Sequence, residues 1–424
     1  MNTFKRFAVA AVLLSSVLAF SAGFSLLEQS TIGMGRSLAG MTAETDEPSA
    51  LFFNPSAIGF MDHAAVTGGL HILTGDVRIK DRGSSASLGQ RGSGDLEGWA
   101  VIPNFSFVYP FENGISIGFT SSATSGARTI YPWDWRGRYA AVDTDVAVME
   151  LQPSISYQIN ENLTIGAGFI IQYAQMTIDQ ALPCPMPGFL PAFDTRIHME
   201  GDTFAYGYSV GLTWKPLKHT TVGLAYRSSM TYKMSMDVDY RSAAAVNANI
   251  YENAMGDGAH CNLRFPQVVN FGIMQELTDK WRVMADLAWT DWSVMKRMKM
   301  KFRTGQESVE EMDWHDSWRL ALGTDYQIND KWRVSCGFAA DEAAAKRYYH
   351  KTAKLPDCTR YWFSAGVAYQ ITDNVRIDFS WMHLLYNSER IQQDINVGGN
   401  SFGTLKGKIV GYSDLASLGL RYDF

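Results

Sequence analysis

The chain has 424 residues, of which 46% are hydrophobic, 13% aromatic and 19% charged, with a mean hydropathy of −0.12. A charged fraction below the roughly 25% of soluble domains, carried with this aromatic load, excludes a disordered chain and a coiled coil. The net charge of −6 offers no basic surface for nucleic acid, and beyond residue 21 no apolar run reaches the ~18 residues that a membrane helix needs.

The first element is a leader. Lys5 and Arg6 precede an apolar stretch from Phe7 to Phe20, and Ala19 and Ser21 supply the small residues of a cleavage site. This pattern predicts a secretory signal peptide over 1–21, cut between Ser21 and Ala22. Loss of its two cations takes the net charge from −6 to −8. Residues 22–63 do not alternate like a strand. They combine Gly33, Gly35, Gly40 and Asn54-Pro55 with the apolar Phe24, Leu26, Leu27, Leu51, Phe52 and Phe53. Too apolar for a free extension, this piece is expected to fold as a plug.

From residue 64 the signal is period-2 alternation. Val375, Ile377, Phe379 and Trp381 alternate with Arg376, Asp378 and Ser380, and Trp318, Leu320 and Leu322 with Arg319, Ala321 and Gly323. A short repeat recurs as Tyr157-Gln-Ile-Asn, Tyr326-Gln-Ile-Asn and Tyr369-Gln-Ile-Thr, with looser copies at Tyr109, Trp214 and Gln275. Each reads as strand, tight turn, strand, with an aromatic residue at the strand end. Strands are predicted at 64–75, 98–110, 113–124, 144–158, 162–178, 202–215, 219–232, 263–277, 281–303, 314–328, 331–341, 360–372, 374–388 and 411–424. Short and long connections alternate along this series.

An even number of strands, short turns on one side and long loops on the other describe a bacterial outer-membrane barrel. A spanning sheet must close, because lipid cannot satisfy an open edge. The fold class is therefore all-β, a fourteen-stranded antiparallel transmembrane barrel over 64–424, with the 22–63 plug in a lumen too wide for side chains to fill. The terminal alternation of Leu418, Leu420, Tyr422 and Phe424 resembles the signal read by the barrel assembly machinery, so Tyr422 and Phe424 are its expected contacts. Outer-membrane lipid is the other expected partner of this monomer.

The inner face carries Arg282, Asp286, Arg319, Asp325, Arg333, Arg376, Asp378, Arg421 and Asp423. These read as a neutralised wall network, leaving open which arginine, if any, meets a ligand carboxylate. No CxxC, HExxH or Cys/His cluster appears, so no metal and no cofactor is expected. No spaced nucleophile motif appears either, and the chain is not expected to be an enzyme. A general diffusion porin is the main alternative, an outer-membrane lipase a weaker one that would need a converging Ser–His pair at a rim.

Certain motifs resemble the long-chain fatty acid transporter family (FadL/TodX type), which includes aromatic hydrocarbon transporters. They are Ala22-Gly23-Phe24, Gly33-Met34-Gly35-Arg36, Asn54-Pro55-Ser56, the run Pro132 to Tyr139, Trp289 to Ser293, Trp314 to Arg319, and Leu355 to Arg360. Ser56 departs from the family's alanine, and Cys358 is also unexpected there. The resemblance implies capture of a hydrophobic ligand by outer loops, passage to an inner pocket at the N-terminal peptide, and lateral release at a kinked third strand. It implies that Phe24 touches the ligand and that Asn54 and Pro55 hold the hatch. Gly114 and Gly118 are the candidates for the kink. Cys184 and Cys261 fall in the two loops that the family uses for capture, and a bridge between them is expected; strand parity disfavours one between Cys336 and Cys358.

Overall fold

In the computed structural model, residues 26–85, 88, 92–184, 191–397 and 400–424 are described. Fourteen strands close antiparallel into a barrel. In order around the wall they are β1 (Ala65–Asp81), β2 (Gly94–Pro110), β3 (Ile115–Ile130), β4 (Asp143–Asn160), β5 (Leu163–Leu182), β6 (Thr195–Leu217), β7 (Thr220–Arg227), β10 (Val268–Thr278), β11 (Trp281–Thr290), β14 (Ser317–Gln327), β15 (Trp332–Asp341), β16 (Arg360–Thr372), β17 (Val375–Tyr386) and β19 (Asn400–Asp423). β19 pairs back onto β1, from Ala65 opposite Asp423 to Asp81 opposite Gly407, so no edge is left at the closure.

The remaining strands build the long-loop side upward. β8 (Met230–Ser242) and β9 (Gly258–Phe265) continue β7 and β10, and β8 pairs with the upper part of β6. β12 (Arg297–Phe302) pairs with both β9 and β13 (Glu307–Glu311), and β18 (Glu389–Val397) pairs with β19. One helix, Ala245–Met255, caps β8. Several loops expected from the sequence are therefore strand extensions. The expected strand 281–303 is broken at the 3-10 turn Trp292–Val294, and 263–277 at Pro266, which has no N–H to give to a ladder.

Alternation sorts the two faces. Trp318, Leu320 and Leu322 are exposed on the outer wall while Arg319 and Ala321 are buried inside. The repeat's strand-end aromatics Tyr109, Tyr157, Trp214 and Tyr326 point outward beside the short turns, forming one girdle. The N-terminal residues from Leu26 pack against inward-facing positions. They form a four-residue helix (Thr31–Met34) capped by the Ser30 hydroxyl, then two 3-10 turns, Pro48–Phe52 and Ala57–Phe60. Two glycines of the wall permit the close approach. A Cβ at Gly223 would stand 1.9 Å from the Thr42 carbonyl oxygen, and one at Gly337 2.2 Å from the Arg36 carbonyl carbon.

Candidate functional site

Three sets of contacts stand out among those that fasten the N-terminal segment to the wall. Asn54 is fully buried. Its Nδ2 donates to the Thr42 carbonyl (2.8 Å) and to Thr213 Oγ1 on β6 (3.0 Å), while its Oδ1 accepts from the Ser56 N–H (3.1 Å) and hydroxyl (2.7 Å). Pro55 sits over Gly166 of β5. Asn54 and Pro55 thus bind the segment to the wall, and neither is among the residues that line the inner cavity. Ser56 adds a hydroxyl contact to Thr213 (2.7 Å) that an alanine there could not make.

The other two fastenings are ionic. Arg36 bridges Glu44 (2.7 Å) and Asp325 of β14 (2.7 Å), and Arg282 joins the same Asp325 (2.6 Å). Glu47 meets Arg376 of β17 (2.6 Å), which also holds Asp378 (2.8 Å), and Arg421 reaches Asp46 (3.2 Å) and Asp423 (2.7 Å). Burial alone would raise the Glu44 carboxyl, but Arg282 and Arg36 hold it well below the usual carboxylate range. The Glu47 carboxyl is likewise raised by burial and then brought below its ordinary value by Arg376 and Arg421. Two inner-face arginines stand apart: among the described residues no carboxylate lies within 4 Å of Arg333, which lines a separate space beside Arg376 and Arg421, and the other is Arg319. It donates to the Ser37 carbonyl (3.4 Å) and lies over the Trp362 ring, 5.6 Å from its centroid. Among the described residues no carboxylate lies within 4 Å of it.

Arg319 lines the inner cavity, about 100 Å³, with Leu27, Phe52 and Phe53 of the N-terminal segment, Phe265, and Thr124 of β3. The other lining arginine, Arg227, is committed to Glu150 and to Gln152 (2.7 Å) and covers the Phe52 ring. Above lies a constriction of about 10 Å³ walled by Met176, Met295, Met298 and Met312. It shares Phe265 with the inner cavity. It shares Met298 and Lys354 with an outer groove of about 450 Å³. The three spaces follow one another through the barrel's long-loop half.

Beside the inner cavity the wall divides. β2 and β3 pair only from Pro110 opposite Ser116 to Asn104 opposite Ser122. Above that rung, Gly94–Pro103 of β2 pairs with β1 alone and Ala123–Ile130 of β3 with β4 alone, across a bulge between Ala123 and Ser125. The N-terminal segment sits at the fork. Asn104 Nδ2 donates to the Gln29 carbonyl (2.5 Å), Gln29 Nε2 donates to the Ala123 carbonyl (2.5 Å), and the Leu26 N–H donates to the Thr124 carbonyl (2.9 Å).

This corrects the sequence-based expectation for the kink. Gly114 lies in the turn before β3, at φ +80°, and Gly118 pairs regularly with Val108 and Ser154. The break comes higher, where Pro103 cannot donate to a ladder; an X-Pro step inside a strand was the signal available. The expected disulfide is also corrected. Cys184 and Cys261 are both free thiols. Cys184 follows β5, bound by its N–H to Asp194 (3.1 Å), whereas Cys261 is inside β9 and faces inward between its cross-strand neighbours Met234 and Met300. Phe24 and the expected leader lie outside the described residues. Two Ser–His contacts occur: His71 with Ser417 (2.5 Å), buried against Thr31 inside the wall, and His260 with Ser235 (3.2 Å), exposed between β8 and β9, where among the described residues no carboxylate lies within 4 Å of His260 to complete a triad.

A closed barrel with apolar outer faces and an inner cavity beside the internally fastened N-terminal residues defines a membrane-spanning transport protein. The chain belongs to the outer membrane protein transport protein family (OMPP1/FadL/TodX), whose model matches residues 12–424; proteins of this family reside in the outer membrane. It is 28% identical over 396 residues to the long-chain fatty acid transport protein of Salmonella typhi, covering 88% of this chain and 90% of that one. It is 26% identical over 459 residues to outer membrane protein P1 of Haemophilus influenzae, covering 98% of each. Among solved structures, a Pseudomonas aeruginosa FadL homologue superposes with a TM-score of 0.88 at 23% identity, over 95% of this chain and 99% of that one. The Pseudomonas putida toluene transporter TodX gives 0.67 at 16%, over 95% and 99%.

Proposed function

We propose that this protein takes up long-chain fatty acids passively, passing them from the outer groove through the methionine constriction to the inner cavity and then sideways through the β2–β3 seam into the membrane. The observation that carries the reading is the joint position of cavity, seam and N-terminal segment: Thr124 lines the cavity, flanks the bulge and accepts the Leu26 N–H. Each methylene that leaves water gains roughly 0.8 kcal/mol, so the chain partitions into the groove without an energy source. Thioethers re-pack around a passing chain because methionine is unbranched and flexible. The inner cavity has room for only on the order of ten water-sized groups, so a long alkyl chain enters by displacing Leu27. That displacement pulls on Leu26 and Gln29, which close the fork.

In this reading residues 22–63 are the hatch, released from a leader cut after Ser21, and Phe24 extends the ligand contact from Leu27. The choice of an acid over a neutral hydrocarbon rests on Arg319, the cavity-lining arginine with no carboxylate within 4 Å, which would take the head group bidentately. No reaction chemistry is assigned, and the filled lumen argues against a diffusion porin. Tyr422 and Phe424, exposed on the outer wall with rings 4.9 Å apart, suit recognition during assembly of a monomeric barrel.

The test is uptake of a labelled long-chain fatty acid by cells lacking their own transporter. The wild-type chain should restore it. Arg319→Gln should lower it about tenfold, the loss of one charge-assisted contact, and leave toluene entry unchanged. No uptake together with porin-like ion conductance would overturn the transport reading. Equal losses for acid and hydrocarbon would overturn the role of Arg319.

A further inference from the structure

The outer wall of the β1–β19–β18 extension carries a cluster of cations without counter-charges. Lys408 of β19 stands directly opposite Lys80 of β1 on one side and Arg390 of β18 on the other. Two residues further up, Lys406 lies opposite Gln392, and the Arg82 N–H donates to the Lys406 carbonyl (2.8 Å). Five of six neighbouring positions on one face are therefore cationic. The other face of the same strands is apolar and buried, with Ile79, Ile391 and Ile409 in the core, so the cations face away from the lumen.

Like charges directly opposite one another in a sheet destabilise it, since their Cβ atoms are only about 5 Å apart. Among the described residues no carboxylate lies within 4 Å of any of the five. The nearby acids are engaged elsewhere: Asp76 by Arg78 (2.7 Å), Asp81 by Arg136 (3.2 Å), Glu389 by Lys351 (2.7 Å) and Asp394 by the Thr404 hydroxyl (2.7 Å). Arg82, Arg390, Lys406 and Lys408 instead line a groove of about 490 Å³ flanked by Tyr348.

The height of the groove identifies what fills it. Outward positions of β19 run from Phe424 and Tyr422 through Leu420 and Leu418 to Tyr412, all exposed. Tyr412 to Tyr422 matches the roughly 9–11 residues of one crossing, with Trp381 and Leu385 beside its upper end on β17. Lys408 comes four residues above Tyr412, about 13 Å along the strand, at the level of lipid headgroups. The outer leaflet there is built of phosphorylated glycolipid.

We propose that this groove binds the phosphorylated glucosamine headgroup of the outer-leaflet glycolipid, lipid A, with Lys408 between Lys80 and Arg390 on one phosphate and with Lys406 and Arg82 above. The anion removes the like-charge repulsion, and the bound glycolipid braces the β18–β19 hairpin. The inference rests on the protein's place in the outer membrane and not on the identity of the transported ligand.

The test is native mass spectrometry of the full-length detergent-solubilised barrel titrated with lipid A, with dephosphorylated lipid A and with inorganic phosphate. Lipid A should bind, the dephosphorylated form should bind at least about tenfold more weakly, and raised salt should release it. The double variant K408Q/R390Q should lose about tenfold or more in affinity. K80Q/R82Q, on the neighbouring strand, should behave in the same way if the first variant fails to fold. K218Q, a charge removed from an exposed short turn on the opposite side, should change nothing. Equal binding of the dephosphorylated lipid, unchanged affinity in both double variants, an equal loss in K218Q, or full displacement by inorganic phosphate at the concentration of lipid A would each overturn the proposal.

Discussion

Arg376→Met separates the N-terminal segment from β17 without changing the volume of the wall greatly. Arg376 holds Glu47 at 2.6 Å and Asp378 at 2.8 Å, and all three side chains are at most 7% exposed. Removing the cation leaves two buried carboxylates facing each other, with Arg421 still 3.6 Å from Glu47. Breaking a buried pair in this way costs roughly 3–5 kcal/mol, a factor of about 10²–10³·⁵ in the equilibrium between seated and unseated segment. Asn54 and Arg36 keep their own anchors, so the barrel should assemble. The assay is ion conductance across a planar bilayer, with protease cleavage of the N-terminal segment as a second measure. The wild-type barrel should stay closed at neutral pH, and the variant should show conducting bursts and faster cleavage. The pH response separates this cause from a general loosening. In the wild type the Glu47 carboxyl lies below its unfolded value, so its stabilisation is full above about pH 4.3 and is lost as pH falls through the depressed folded value. In the variant the sign reverses: acid neutralises the stranded carboxylates and should quieten the bursts. A variant as closed as wild type at neutral pH, or one that opens further in acid, would refute the reasoning.

Glu28 supports a second pH experiment. Burial raises its carboxyl above the ordinary value, more than Arg360 lowers it, and its buried Oε2 has no hydrogen-bond partner among the described residues. A group raised in the fold costs stability as pH climbs above its unfolded value, so Glu28→Gln should raise the melting temperature near neutral pH by a few degrees and leave it unchanged near pH 4, about the unfolded value. Thermal scans of both proteins decide this; a loss at neutral pH would mean that the carboxylate is needed charged. For the cysteines, non-reducing peptide mapping of protein unfolded under alkylating conditions should recover all four as alkylated thiols. A Cys184–Cys261 cross-linked peptide would reinstate the bridge.

Much of the wall was legible because lipid on one face and a filled lumen on the other enforce strict alternation. Leu320 outside and Arg319 inside cannot exchange without moving every neighbour. The short turns were legible for the same reason, each repeat placing an aromatic residue at a girdle. The upper half was not, because strands leaving the membrane lose the lipid that made their outer residues apolar. Lys406 and Lys408 therefore read as loop although they continue β19. The site divides likewise. The charged inner face was expected to be a paired network, and Arg36, Arg282, Arg376 and Arg421 do form one with carboxylates of the wall and the N-terminal segment. Which arginines stood outside it, Arg319 and Arg333, depended on partners brought together from up to several hundred residues apart, as in Arg376 with Glu47, and no local pattern encodes that. The cysteine pairing failed because loop membership was taken as proximity, whereas Cys261 is fixed by its ladder between Met234 and Met300.

The seam gives a physical reason why the proposed lateral exit would need the N-terminal segment at all. A barrel in lipid has no tolerance for unpaired backbone, since each unsatisfied group costs several kcal/mol in hydrocarbon. A permanent gap between β2 and β3 would strand a row of donors and acceptors, and a fully zipped seam would offer no exit. Pro103 and the bulge at Thr124 set where pairing stops, and they do so just above the last rung, Asn104 opposite Ser122. Gln29 then supplies in side-chain and main-chain form what the missing rung would have supplied, accepting from Asn104 and donating to Ala123. In the proposed path these bonds belong to the segment whose Leu27 lines the cavity, which would link the free energy of opening the fork to occupancy of the cavity. The coupling predicts that Gln29→Leu, which loses the side-chain donation to Ala123 and keeps the main-chain carbonyl that accepts from Asn104, should open the seam without ligand while the ion latches at Arg36 and Arg376 stay intact. Bromide-lipid quenching of Trp99, exposed on β2 beside the fork, should then rise in the empty variant to the level that ligand produces in the wild type. If quenching in Q29L still requires ligand to rise, the fork is held by something other than Gln29 and the coupling is wrong.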